Sequence, residues 1–288
     1  MKHLFMIQAH TQPLLLKRMI EKLSCEDHYF LIHIDKKQNI SIFKDLIKEN
    51  SHTFFSKKRI NVNWGGESQW KATLMLLREG EKLPVKYDYF HFLSDMDYPI
   101  TNNETIDKFF ENCHEKSFMH FDSDQEREKW LDIKYKARLR WNFIDYPIVV
   151  RDFFRMIRLG RFMDKFIPRT LPENLYGGWS WFSWNKKVVL WVLDYVKKHP
   201  AEIRKFYNGI ATDELIFHTI LHPYLDELNI EANDSLRYID WHPTRPYNSL
   251  PLVLNETDYQ NIISSGKLFC RKVSLPESAI LLDMLDIQ

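Results

Sequence analysis

Cysteine is scarce: three residues in 288, Cys25, Cys113 and Cys270, odd in number and widely spaced. That excludes a disulfide framework and a zinc knuckle of paired cysteines, and it suits free thiols in a reducing compartment. A hydrophobic run long enough to span a bilayer, about eighteen residues, is absent. The opening MKHLFMIQAH is too short for the apolar region of a signal peptide and is broken by Gln8 and His10. It reads as a first strand, so the chain is expected to begin inside its domain, as a cytoplasmic protein would. An excess of either charge is also missing: 40 Lys and Arg stand against 39 Asp and Glu, a net +1. No global field gathers nucleic acid, and there is no basic arm or RNA-binding aromatic signature. Internal repeats, low-complexity tracts, P-loops and GxGxxG fingerprints are missing too.

Aromatics are plentiful instead, 15% of the chain with 9 Trp, 13 Tyr and 20 Phe, inside a hydrophobic content of 44% that is ample for a core. Stacking on sugar rings is one use of such residues; core packing is the commoner one. Residues 1–122 alternate between strand patterns (3–9, 29–35, 87–95, 117–121) and helical patterns (13–23, 40–48, 67–79, 103–112), with Asn103 as N-cap of the last. Such alternation predicts a parallel sheet with helices on both faces. Residues 123–175 are rich in charge. A Gly-Trp-rich strand (177–184), helices at 186–198 and near 212–222, and short strands at 236–241, 250–254 and 268–273 follow.

The segment YDYFHFLSDMDYP, residues 87–99, is the most informative. Its aromatic run suits a buried strand, and Pro99 is expected to end it. Asp95 and Asp97 are thus delivered to the carboxyl end of a strand, where open α/β sheets bind ligands. There they could hold a metal on a diphosphate or orient a sugar. Asp35, closing IHID (32–35), reads either as a hydrogen-bond acceptor for a base or ribose or as a helix N-cap. Gly65-Gly66, in NVNWGGESQW, precede a helix whose N-terminus favours anions. In GIATDELIFHTIL (209–221), Thr212 reads as an N-cap. Glu214 reads either as a general base or as a complement to the helix dipole. Arg271 and Lys272, adjacent on a short strand, point to opposite faces unless a bulge intervenes. His218 and His222 are four apart but lack a third ligand at a familiar spacing, and read as a helix-face pair.

Taken in order, IHIDKK (32–37), VNWGGESQWKATL (62–74), YDYFHFLSDMDYPITNNETI (87–106), GGWSWFSW (177–184), TDELIFHTIL (212–221), LRYIDW (236–241) and LFCRKV (268–273) resemble one family. It is the core-2/I-branching β-1,6-N-acetylglucosaminyltransferase and peptide O-xylosyltransferase family. The resemblance implies an α/β fold with a GT-A-type, Rossmann-like sheet and a mixed C-terminal half. It implies one domain over 1–288, with a nucleotide-binding half (1–122) and an acceptor and diphosphate-binding half (123–288). It further implies inverting transfer from a UDP-sugar, N-acetylglucosamine or else xylose, to a glycan hydroxyl, with a role in bacterial surface polysaccharide synthesis. Carried over, Glu214 acts on the acceptor hydroxyl and Asp97 lies at the donor sugar. Arg271 and Lys272 hold the diphosphate. His10, Asp35, Trp64, Gly65 and Asp95 belong to the nucleotide and donor side, and Trp181, Trp241 and Asp213 to the acceptor side.

Two departures matter. The family usually has a small residue where this chain has Asp95, so a literal Asp-x-Asp appears, the pattern that binds Mn²⁺ in other GT-A enzymes. The expectation is transfer without a metal. The alternative is a Mn²⁺-dependent enzyme using UDP-galactose or UDP-glucose through Asp95 and Asp97. Animal members carry a membrane anchor and a disulfide-rich lumenal domain. This chain shows neither and reads as a cytoplasmic bacterial relative. A non-enzymatic carbohydrate-binding module would not need the Arg271-Lys272 clamp. Finally, RDFFRMIRLGRFMDKFIPR (151–169) has basic residues at three- or four-residue spacing among Phe and Ile. It reads either as a helix docking at the inner membrane or a lipid-linked acceptor, or as a packed helix with a solvated basic face that Gly160 interrupts.

Overall fold

The computed structural model describes residues 1–242, 244–246 and 250–288. Among the described residues ten strands form two sheets: β1 (His3–Ala9), β2 (His28–Ile34), β3 (Thr53–Phe55), β4 (Tyr89–Ser94), β5 (Asp97–Pro99), β6 (Ser117–Phe121), β7 (Gly178–Asn185), β8 (Ile230–Glu231), β9 (Arg237–Ile239) and β10 (Phe269–Arg271). The large sheet runs β3-β2-β1-β4-β7-β6-β8 and the small one β5-β10-β9. Strands β3, β2, β1 and β4 are parallel, whereas β7 is antiparallel to both neighbours. A parallel sheet is covered on both faces, so its strands are buried throughout; every residue of β2 and β4 is.

Side-chain alternation along β1 feeds two cores. Leu4 and Met6 pack with Trp70, Leu74 and Leu77 of the helix Ser68–Gly80 and with Val188 and Val192 of the helix Lys186–Lys198. Phe5 and Ile7 pack with Leu15, Leu16, Met19 and Leu23 of the helix Pro13–Leu23 and with Ile106 and Phe110 of the helix Asn103–Asn112. The 13–23 helix starts at a proline, whose missing N–H costs nothing at a helix start, and its buried residues recur at helical spacing. Each large apolar side chain so buried contributes roughly 1.5–3 kcal/mol.

Several expectations are corrected. Asn102, not Asn103, caps the fourth helix, accepting from Thr105 N. The 89–94 strand ends at Ser94, before Pro99, which is instead the last residue of the separate edge strand β5, where a missing N–H is tolerated. Residues 250–254 form no strand, though Leu252 N donates to Asp240 O and Leu254 N to Lys272 O. Strands β3 and β8 were not foreseen, being three and two residues long.

Candidate active site

The carboxyl ends of β2, β1 and β4 lie side by side, and β7, running the other way, brings its amino end to the same rim. Asp95 follows β4 and is fully buried. Its Oδ2 accepts from the backbone N–H of His10, Thr11 and Gln12 at 2.7, 2.8 and 3.1 Å, and its Oδ1 lies 3.3 Å from His10 Nδ1. Burial works to raise its pKa, but the His10 imidazole and these backbone donors prevail and hold it below the usual carboxylate range. His10 is correspondingly raised by its bond to Asp95. Asp95 therefore fastens the loop that leaves β1.

Asp97, also buried, opens β5 directly opposite Arg271 of β10. Its Oδ2 accepts from Ser94 N at 2.6 Å, Ser94 Oγ at 2.7 Å and Arg271 Nη1 at 3.1 Å, while Oδ1 has no hydrogen-bond partner. Arg271 Nη1 also donates to Ser94 Oγ at 2.6 Å, and the guanidinium lies over the Trp181 ring at 4.0 Å. Trp181 stacks in turn on Phe92. Arg237, unforeseen in the sequence, is buried behind this corner and donates to Phe92 O at 2.7 Å and Phe182 O at 3.2 Å. Burial lowers its pKa to about 10. Lys272, next along the chain, is lowered by burial and by Arg271, with Glu277 opposing.

A divalent cation at this Asp-x-Asp would have to use Oδ1 of each carboxylate, the two oxygens without a hydrogen-bond partner. One Asp95 oxygen is taken by three backbone donors and the other faces an imidazole. A guanidinium already stands on Asp97. Both sets of contacts favour carboxylates that bond to the protein over carboxylates turned toward an ion.

The second acidic station sits across the rim. Thr212 is not an N-cap; it starts a 3-10 turn, Thr212–Glu214, after Ala211 in left-handed conformation. Glu214 Oε2 pairs with Arg138 Nη1 at 2.6 Å. Asp213 Oδ2 accepts from Ser180 Oγ of β7 at 2.8 Å, and its buried Oδ1 has no partner. Desolvation first, then the neighbouring Glu214 charge, raises the Asp213 pKa to about 6, against the opposing Ser180 bond and Arg138 charge. Arg138 could not be singled out in its charge-rich run, because only the tertiary fold brings it to Glu214.

The Trp64–Gly66 loop adjoins this turn: Gly65 O accepts from Ala211 N at 2.7 Å, and Gly65 has φ of +72°. Trp64 is 83% exposed. The anion site expected at the following helix is already filled. Asp145 accepts from Ser68 N at 2.9 Å and Asn63 Nδ2 at 3.0 Å. A Cβ on Gly66 would collide with that carboxylate, so the glycine serves an internal acid. Asp35, at the end of β2, is buried and accepts from Lys37 N at 2.8 Å. Its backbone N–H donates to Ala9 O, which places it beside the His10 loop.

Trp241 is exposed and 6.2 Å from Trp179, which stacks on His120. His218 is buried with its pKa lowered to about 3 by desolvation and bonds His120 O, while His222 stacks on Tyr176. Of the sequence-chosen residues, contacts link Asp35, His10, Asp95, Asp97, Arg271, Trp181, Asp213, Glu214 and Gly65 around one rim; Trp241 stands farther out. A separate cavity of about 560 Å³, lined by Lys58, Arg59, Lys71 and Arg78, takes in none of them.

The profile of the Core-2/I-branching enzyme family matches residues 4–263. The chain belongs to that family. Rat xylosyltransferase 1 is 26% identical over 79% of this chain and 26% of its own length, and Ciona intestinalis xylosyltransferase is 23% identical over 84% and 27%. The chain spans about a quarter of the length of these curated relatives. Among solved structures, apo mouse xyloside xylosyltransferase 1 is similar over 93% of this chain and 96% of its own, at 11% identity and a TM-score of 0.41. The parallel-rich sheet with its acids at the strand ends is the mixed α/β architecture that the sequence predicts.

Proposed function

We propose that this chain transfers a sugar from a UDP-sugar to a hydroxyl of a glycan acceptor, with inversion. The observation that carries the reading is the pair of acidic stations on one rim. Asp97 is clamped by Arg271, and the Asp213–Glu214 turn is anchored by Ser180 and Arg138. Glu214, 34% exposed at its side chain, is the general base that takes the acceptor proton as the hydroxyl attacks the anomeric carbon. Asp97 faces the donor sugar, and Arg271 with Lys272 receives the charge that builds on the leaving diphosphate. His10, Asp35, Trp64 and Gly65 border the nucleotide, with Asp95 acting through the 10–12 loop. Trp181, Trp241 and Asp213 border the acceptor. The donor is UDP-N-acetylglucosamine or, as the xylosyltransferase relatives favour, UDP-xylose. Glu214→Gln should lower turnover roughly 10²–10⁴-fold while UDP still binds. UDP release measured over a panel of UDP-sugars checks both donor and base, and near-native turnover would move the base elsewhere.

The acceptor is read as lipid-linked, with residues 148–167 resting on an anionic membrane surface. Two helices, Ile148–Met156 and Leu159–Phe166, bury no residue of their own. The break between them falls at left-handed Arg158, not at Gly160, which lies within the second helix under Trp141 O. Val149, Phe153 and Met156 form one exposed stripe, and Phe162, Phe166 and Ile167 another. Arg151, Arg155, Arg158, Arg161 and Lys165 against Asp152 and Asp164 leave the stretch at +3 on a chain of +1. Apolar stripes ringed by cations match a headgroup layer of negative lipid. Arg138 and Asp145, a few residues upstream, touch the rim itself. In liposome flotation, binding to anionic vesicles should fade with salt and vanish when Arg155, Arg158 and Arg161 become Glu. Absence of binding at low salt would refute the docking reading and leave the transfer reading untouched.

A further inference from the structure

Far from the rim, at the amino ends of β1 and β2, the parallel register sets His3 beside His28. Asp107 reaches them from the helix Asn103–Asn112. Its Oδ1 lies 2.8 Å from His28 Nε2 and 3.6 Å from His3 Nε2, and the three ligand atoms fall within 4.8 Å of one another. Both imidazoles are fully buried, while the Asp107 side chain is 30% exposed and gives the cluster an opening to solvent.

The proton positions make this cluster unusual. His28 Nδ1 lies 2.7 Å from Leu23 O, and a carbonyl only accepts, so that nitrogen carries a proton. In a neutral ring, His28 Nε2 is then a lone pair, yet it points at a carboxylate oxygen. His3 Nδ1 lies 2.9 Å from His91 Nε2, and His91 Nδ1 lies 2.9 Å from Ser183 Oγ. These contacts are satisfied either with Nδ1 the donor in His3 and His91, or in reverse, with Ser183 Oγ donating to His91 Nδ1 and His91 Nε2 to His3 Nδ1; a bound cation would select the first arrangement. The first leaves His3 Nε2 bare; it is buried without a hydrogen-bond partner, and 3.6 Å to Asp107 is too long for one. In the first arrangement, with His28 neutral, three electron-pair donors face a single point. A proton on His28 would relieve only the 2.8 Å contact. A cation between them relieves all three.

We propose that His3, His28 and Asp107 form a structural divalent-cation site suited to Zn²⁺. Two imidazole nitrogens and one carboxylate oxygen are a zinc donor set, and water from the Asp107 side would complete a tetrahedron. The outer contacts have the form such sites need, each ring's second nitrogen being fixed by a carbonyl or another ring. The ion would join β1, β2 and the helix Asn103–Asn112, and so tie strand ends to a helix rather than take part in the transfer.

The test uses tag-free full-length protein, stripped with chelator and dialysed. Calorimetric titration with ZnCl₂ should give one ion per chain. At zinc about a hundredfold above Kd, Tm should rise by roughly 5 °C. Co²⁺ in place of Zn²⁺ should give the visible absorption of a tetrahedral site. His28→Ala removes a buried ligand and is open to misfolding. Asp107→Asn, at a half-exposed position, is the cleaner variant: it should keep the fold and lose the zinc-dependent rise. No stoichiometric binding, or equal zinc stabilisation of Asp107→Asn, would overturn the site and leave a protonated histidine paired with Asp107.

Discussion

Asp213 shows how one side chain records its surroundings. Its carboxyl is raised to about 6 by desolvation and by Glu214, against an unfolded value near 4. A raised carboxyl favours the protonated form in the folded state. The folded protein therefore holds stability below the unfolded pKa that it loses as pH climbs from about 4 through about 6. Asp213→Asn cannot ionise and escapes that loss. The variant should match wild type near pH 4 and be more stable by about 1–2 kcal/mol near pH 8, with urea unfolding at the two pH values as the measure. An equal difference at both pH values would mean the Asn acts through packing. At this scale the sequence singled out Asp97 by the strand end before it and Glu214 by a helix start at Thr212 that is in fact a 3-10 turn. It passed over Arg138 and Asp145, since their partners lie elsewhere in the chain and nothing nearby singles them out.

The helix Ser68–Gly80 illustrates the same limit one level up. Its apolar spacing and the two glycines before it were legible, and so was an acceptor at its N-terminus. That the acceptor is the chain's own Asp145, 77 residues beyond Ser68, was not. The carboxylate satisfies one free N–H of the helix, that of Ser68, and sits favourably on the helix dipole. Asp145→Ala should cost about 1 kcal/mol, the usual worth of a cap. Gly66→Ala should cost roughly 1–3 kcal/mol, because its Cβ must push that carboxylate aside. The two should not add. In the Asp145→Ala background most of the Gly66→Ala penalty should disappear, and a double-mutant cycle by urea unfolding reads the coupling directly. Full additivity would mean that Gly66 is constrained by something other than Asp145. The short strands β3, β5 and β8 were missed for a related reason. Two or three residues carry no periodicity, and only pairing defines them.

Across the whole molecule, the longer strands and the helices Pro13–Leu23, Ser68–Gly80, Asn103–Asn112 and Lys186–Lys198 were foreseen because both periodicities are strong, whereas the helices Asp124–Trp130 and Ala279–Asp286 and the order of the sheet were not. Strand β7 comes late in the chain yet inserts between β4 and β6. The small sheet folds β10 back against β5, so register alone sets Asp97 opposite Arg271. This closure bears on how the diphosphate is neutralised. Asp95 holds the β1 loop, Asp97 holds Arg271, and Lys272 has its pKa lowered by burial and by the adjacent Arg271 charge. A diphosphate placed beside Arg271 and Lys272 would be stabilised by both charges. UDP should therefore raise Tm without added metal, and the rise should shrink with salt. Lys272→Ala should weaken UDP binding roughly tenfold, as loss of one charged contact does. Transfer activity should survive EDTA. Loss of activity in EDTA with recovery on adding Mn²⁺ would instead make Asp95 and Asp97 ion ligands. Arg271 would then have to leave Asp97 when the donor binds.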